Sequence, residues 1–201
     1  MRFAATSFRP IFGRILSVVV AAIALLGLGG FVVTGDWIGL VRYAWGLLLI
    51  VAVAFALFWF PSLDVAAHEI TVRNVFSTVH VPWPSIQRID TKYALTLFTD
   101  KGKVTSWASP APNRYAAHNA ASGDARVAAG ATLGMAVRPG DLLSTASGAA
   151  AFVIRRHWDD LREDGLLDGP NDPGAFSRDI HWPTITVLAV LIVATVVGTI
   201  L

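Results

Sequence analysis

Three windows of this chain carry almost no charge: Ile15 to Val33, Tyr43 to Phe60 and Pro183 to Leu201. They run 19, 18 and 19 residues. A helix rising 1.5 Å per residue needs about 20 apolar residues to cross roughly 30 Å of hydrocarbon, so each window predicts a membrane-spanning helix. The competing reading is a buried soluble helix. That requires a large surrounding domain, and the rest of the 201 residues are too few and too polar to supply one. The whole chain is 54% hydrophobic and only 15% charged, against about 25% charged in a soluble domain. The three windows account for the deficit.

Charge placement predicts orientation. Arg2, Arg9 and Arg14 precede the first window, no basic residue follows the third, and Asp36 lies between the first two. By the positive-inside rule the N-terminus and the segment after Pro61 are expected in the cytoplasm, and Leu201 outside. Arg9 and Arg14 ahead of an apolar run, with Ala22-Ile23-Ala24 imitating a cleavage site, resemble a secretory signal. The run continues to Val33, long for such a signal, so the span is read as uncleaved. Thr34 to Val41 is expected as the turn of a helical hairpin. Arg42 reads as an interface anchor that snorkels to the headgroups, with Trp37, Tyr43, Trp45, Trp59 and Trp182 forming an aromatic belt. No other ionisable residue lies inside a window, which argues against a transporter, proton relay or channel.

After Pro61 the apolar period changes to two. Ile70 and Val72, Val79 and Val81, Ile86 and Ile89, Leu95 and Leu97, and Val104 and Trp107 mark short strands. Arg73-Asn74, Pro82-Trp83-Pro84-Ser85 and Asp100-Lys101-Gly102-Lys103 separate them. The pattern predicts an antiparallel meander with a hairpin turn at Asp100 to Lys103. From Ser109 to Ala136 the chain is rich in Ala, Gly, Pro, Ser and Asn and reads as a surface connection, with a short helix about Arg114 to Ala121. A helix follows, capped by Ser144, Thr145 or Ser147 and ended by Gly165. Ala151, Ile154, Trp158 and Leu161 share one face of it, and Arg155 with Asp159 and Arg156 with Asp160 form i,i+4 pairs elsewhere on its surface. The expected division is a tail over 1–14, a transmembrane hairpin over 15–60 (15–33 and 43–60), and a β domain over 61–108. A connection over 109–144, an amphipathic helix over 145–165, a linker over 166–182 and a third span over 183–201 complete it.

Catalytic motifs are absent. The chain holds no phosphate-binding glycine loop, no dinucleotide fingerprint, no paired-histidine zinc motif and no nucleophile elbow. Cysteine is missing, which excludes a disulfide, a thiolate metal site and a cysteine nucleophile. His68, His80, His118 and His181 are scattered, and only His157 has acidic neighbours. Asp160 is its one plausible co-ligand on a helix, and a solvated surface explains the pair.

Thr71-Val72-Arg73-Asn74, then Val79-His80-Val81-Pro82-Trp83-Pro84-Ser85-Ile86, Leu95-Thr96-Leu97 and Val104-Thr105-Ser106-Trp107-Ala108 follow in a telling order. In that order they resemble the small PH-like domains of bacterial, largely actinobacterial, membrane proteins. Pro84 interrupts the usual tryptophan-serine step, and Lys101-Gly102-Lys103 replaces the usual turn. The likeness runs from Pro61 to about Gly165. It implies a small PH-like bent antiparallel sheet or partly open barrel, closed at one end by a C-terminal helix; with the three transmembrane helices read from hydropathy, the expected fold class is an α+β membrane protein. It brings no catalytic residue and no cofactor.

Arg73, Asn74, Trp83, Trp107 and Trp158 are the candidate partner-contact or structural-corner residues. The expected function is a non-enzymatic, membrane-anchored module that recruits a protein partner at the cytoplasmic face. The alternative is a non-catalytic subunit or regulator of a cell-envelope complex, contacted through the spans. The expected partners are the lipid bilayer and an unidentified membrane or cytoplasmic protein; nucleic acid is not expected. Residues 61–181 hold twelve basic and thirteen acidic side chains, so phosphoinositide binding is not expected either.

Overall fold

The computed structural model describes residues 5–112, 139–167 and 176–200. It divides into two compact units, one of strands with a helix and one of apolar helices.

In the helical unit, α1 (Ile11–Thr34), α2 (Trp37–Phe58) and the last helix (Trp182–Ile200) are each long and apolar enough to cross a membrane. All three begin before the windows read from sequence, because Ile11, Trp37 and Trp182 extend the apolar runs into the first turn. The connection expected over Thr34 to Val41 shrinks to Gly35 and Asp36. Gly35, at φ 67°, takes the left-handed conformation that closes α1, and Asp36 Oδ1 accepts the Gly39 N–H at 2.8 Å to cap α2. Gly13 sits where a Cβ would lie 3.0 Å from Phe58, and Ser17 Oγ donates to the carbonyls of Gly13 (3.0 Å) and Ala54 (3.1 Å). The two helices therefore meet through small residues and one interhelical hydrogen bond, the usual cohesion of helices that gain nothing from burying leucine in lipid. The last helix packs on α2, with Gly198 against the backbone of Arg42 and Gly46 against Thr195.

In the other unit, β1 (Thr6–Phe8), β2 (Ser62–Val65), β3 (Glu69–Arg73), β4 (Ser77–Pro82) and β8 (Ser177–Ile180) form a five-stranded sheet in the order β1-β2-β3-β4-β8. Strands β5 (Ile86–Asp90), β6 (Ala94–Thr99) and β7 (Gly102–Pro110) form a second sheet of three. The period-two pattern located β3 to β7. It did not reveal β1, β2 or β8: β1 lies in the expected tail, β8 in the expected linker, and β2 is only four residues long. The single meander is corrected to two sheets, the chain changing sheet at Trp83–Ser85.

Register explains the core. Leu63 pairs with Val72, Val65 with Ile70, Ile70 with Val81 and Val72 with Val79, so all of these face one side. Leu97 pairs with Val104 in the other sheet. These side chains, with Trp83, Ile86, Leu95 and Ala108, form one buried cluster with Ala150, Ala151 and Ile154 of α3 (Ala146–Glu163). The bent sheets do not close into a barrel, and α3 completes the core against β5, β6 and β7.

Helix α3 is bounded as its residue types dictate. Thr145 Oγ1 accepts the Gly148 N–H at 3.0 Å. At the other end Gly165, at φ 68°, lets Leu166 N–H reach the Leu161 carbonyl and its own N–H reach that of Arg162. The expected Arg155–Asp159 pair is replaced, since Arg155 Nη1 lies 2.8 Å from Asp141 Oδ1. The expected Arg114–Ala121 helix and residues 168–175 of the expected linker fall outside the described residues.

Candidate interaction surface

Trp83 occupies the corner between the sheets. It is 2% exposed, its indole N–H donates to the Ala66 carbonyl at 3.0 Å, and His157 of α3 meets its ring edge-on at 4.8 Å between centroids. The bond to Ala66 pins the β2–β3 turn, which is why a tryptophan suits this place better than another large apolar residue. A partner-contact role for Trp83 requires an accessible ring, and its place is in the core. Among the described residues no group of three or more histidine or acidic side chains is placed to hold a metal ion.

Asn74 does the work expected of a turn and something more. Its side-chain N–H donates to the Thr105 carbonyl at 2.9 Å, and its Oδ1 accepts the Trp107 N–H at 3.0 Å. Register between β6 and β7 slips between Ala94 and Thr96, and the Asn74 amide bonds to the β7 backbone from Thr105, the last residue before the slip, to Trp107 within it. Arg73 is exposed at the end of β3, paired in register with Thr78. Trp107, expected among the core strands, is 48% exposed. Val104, Ser106 and Ala108 are the inward-facing series of β7, and Trp107, three residues from Val104, falls on the opposite face. Trp158 is only partly buried against the core, and its indole N–H is buried without an acceptor.

A further knot was not visible as such in the sequence. Asp141 Oδ1 accepts from Thr91 Oγ1 and from Arg155, each at 2.8 Å, joining the β5–β6 turn to α3. Ser147 Oγ donates to the Gly140 carbonyl at 2.9 Å. A Cβ at Gly140 would collide with the Thr91 carbonyl, and one at Gly148 with that of Leu142. Glycine is required at both by the closeness of backbone to backbone.

The outer faces carry the polar residues. On the five-stranded sheet His80 Nδ1 lies 2.9 Å from Glu69 Oε1 and Nε2 lies 3.8 Å from Asp179 Oδ2. On the three-stranded sheet Arg88, Phe98 and Lys103 stand side by side. Strand order and a helix closing a bent pair of sheets suit one kind of domain, and residues 60–136 match the bacterial PH domain family. The segment is a bacterial PH-like domain. No curated protein and no solved structure matches the chain. The PH-like match ends at residue 136, so α3, which supplies three of the most deeply buried core residues, lies beyond it. PH-like domains are generally non-catalytic. Joined in one chain to three apolar helices, this one makes a membrane-associated module.

Proposed function

We propose that the chain is a non-enzymatic, membrane-anchored PH-like module that recruits a protein partner at the cytoplasmic face. The observation that carries this is the outer face of β5–β7, where exposed Arg88, Lys103 and Trp107 lie about the half-buried Phe98 and neither Arg88 nor Lys103 is in an ion pair among the described residues. Exposed aromatic and arginine side chains are the groups that dominate protein interfaces. Pairing of β1 with β2 supports the orientation, because it places the chain before α1 and after α2 in one sheet. Two opposed crossings satisfy that, and the basic residues before α1 then favour the cytoplasm.

A second reading is a non-catalytic subunit of an envelope complex, contacted through the spans. Gly29 and Gly30 on α1 favour it, since a Cβ at either meets nothing within 4 Å and a neighbouring helix could approach closely there. Crosslinking in intact membranes, followed by isolation of the full chain, separates the two. Recruitment through the PH-like domain requires crosslinks that vanish on replacing surface residues of β5–β7 and survive replacement of Gly29 and Gly30 by leucine. The opposite pattern transfers the contact to the spans.

A further inference from the structure

Sequence separates Arg88 from Lys103, but the ladder brings them to either side of one ring. Arg88 is opposite Phe98 on β6, and Phe98 is opposite Lys103 on β7. The Arg88 guanidinium carbon lies 4.0 Å from the Phe98 centroid, a cation held over an aromatic face. Both cations are exposed, and neither is in an ion pair among the described residues. The next row of the same sheet is Asp90, Thr96 and Thr105. Asp90 Oδ1 already accepts the N–H groups of Thr91 and Lys92, at 2.8 and 3.2 Å. The face is therefore cationic, with an apolar centre and hydroxyls beside it.

We propose that this face docks an acidic, extended segment of a partner protein, with carboxylates on Arg88 and Lys103 and an apolar side chain on the Phe98 ring. The inference rests on the recruitment reading above and specifies the partner's chemistry. Adjacent strands lie about 4.8 Å apart, so the two cations stand roughly 10 Å apart at the backbone with the ring between them. Capture of a single phosphate requires donors that converge on it, whereas these two arise from strands on opposite sides of β6. Carboxylates on alternate residues of an extended chain are about 7 Å apart and project to one side, within reach of two long, flexible side chains. An anionic bilayer gains little from residues 61–181, where twelve basic side chains face thirteen acidic ones. A second copy could offer the acidic face of its own five-stranded sheet. There Glu69 and Asp179 both face His80, and Asp64 accepts the Ser62 hydroxyl, so those carboxylates are already occupied.

The test is a titration of the full chain in neutral detergent micelles with a fluorescent dodecapeptide of alternating Glu and Tyr. Saturable binding is expected that weakens as salt rises from about 50 to about 300 mM. It should fall about fivefold in the Arg88→Gln/Lys103→Gln variant, return in Arg88→Lys/Lys103→Arg, and persist in Arg156→Gln/Arg178→Gln. Absence of saturable binding overturns the inference, as does equal binding of the Gln-Tyr peptide or equal loss in the control variant. Tighter binding to phosphatidylserine vesicles that the same double variant abolishes would assign the face to lipid. Self-association abolished by that variant would assign it to a second copy. If the peptide fails while crosslinks through β5–β7 persist, this inference falls and recruitment stands; crosslinks that depend on Gly29 and Gly30 remove the recruitment reading first.

Discussion

Asn74 bonds to residues 31 and 33 positions away in sequence, and that distance explains what could be read at this scale. The Arg73-Asn74 pair announces a turn through local chemistry, whereas the side-chain amide bonds to the β7 backbone beside a register slip that no local pattern reveals. Replacing Asn74 by Ala leaves a carbonyl and an N–H unsatisfied. At about 1 kcal/mol for each bond, and more where the groups are shielded from water, the loss should be about 2–3 kcal/mol. Asn74→Asp keeps the acceptor and should cost less, in chemical denaturation of the full chain followed by tryptophan fluorescence. Gly140→Ala should destabilise more severely than either, because its new methyl meets the Thr91 backbone and not a movable side chain. An effect below that of Asn74→Asp would mean that the 139–142 segment does not hold as described. Trp83 was legible as a corner because proline flanks it on both sides; Trp107 was misread because it was grouped with Val104, three residues away, and strict alternation in β7 puts the two on opposite faces.

At the level of elements, α3 was legible almost to the residue, since a threonine cap, a terminal glycine and an apolar face all act locally. Its centre of gravity was not. The face was expected to anchor through Trp158, yet Ile154, Ala150 and Ala151 are fully buried while Trp158 lies at the margin with an unsatisfied indole N–H. Ile154→Ala should therefore cost about 2–5 kcal/mol, and Trp158→Phe, which removes the orphan N–H and keeps most of the ring, should be close to neutral in the same denaturation measurement. A larger loss from Trp158→Phe than from Ile154→Ala would reverse the assignment. In the helical hairpin, Ser17→Ala removes the hydrogen bond to Ala54 and should weaken the α1–α2 association by only about 0.6 kcal/mol, as polar contacts in bilayers do. Steric trapping in bicelles would read it. The short strands β1, β2 and β8 left no comparable signature, because three or four residues carry too few alternations to stand above chance.

For the whole molecule, the three apolar helices were legible from hydropathy alone, while the orientation that the arginines propose is a matter for experiment. The absence of cysteine makes the orientation easy to test. Thr34→Cys, at the exposed C-terminal end of α1, should react with an impermeant thiol reagent on intact cells, and His68→Cys, in the exposed β2–β3 turn, should react only after permeabilisation. The reverse pattern would invert the arrangement. What hydropathy could not convey is that the sheet is assembled from pieces lying on both sides of the hairpin in sequence. During translation β1 leaves the ribosome before α1 and α2, and its partner β2 only after both. At roughly 5–20 residues per second, the early strand waits several seconds with both edges open. A long hydrophobic strand in that position would be an invitation to pair with neighbouring chains. Three residues, Thr6, Ser7 and Phe8, are too few to make one, so the brevity of β1 protects the chain while it is being made.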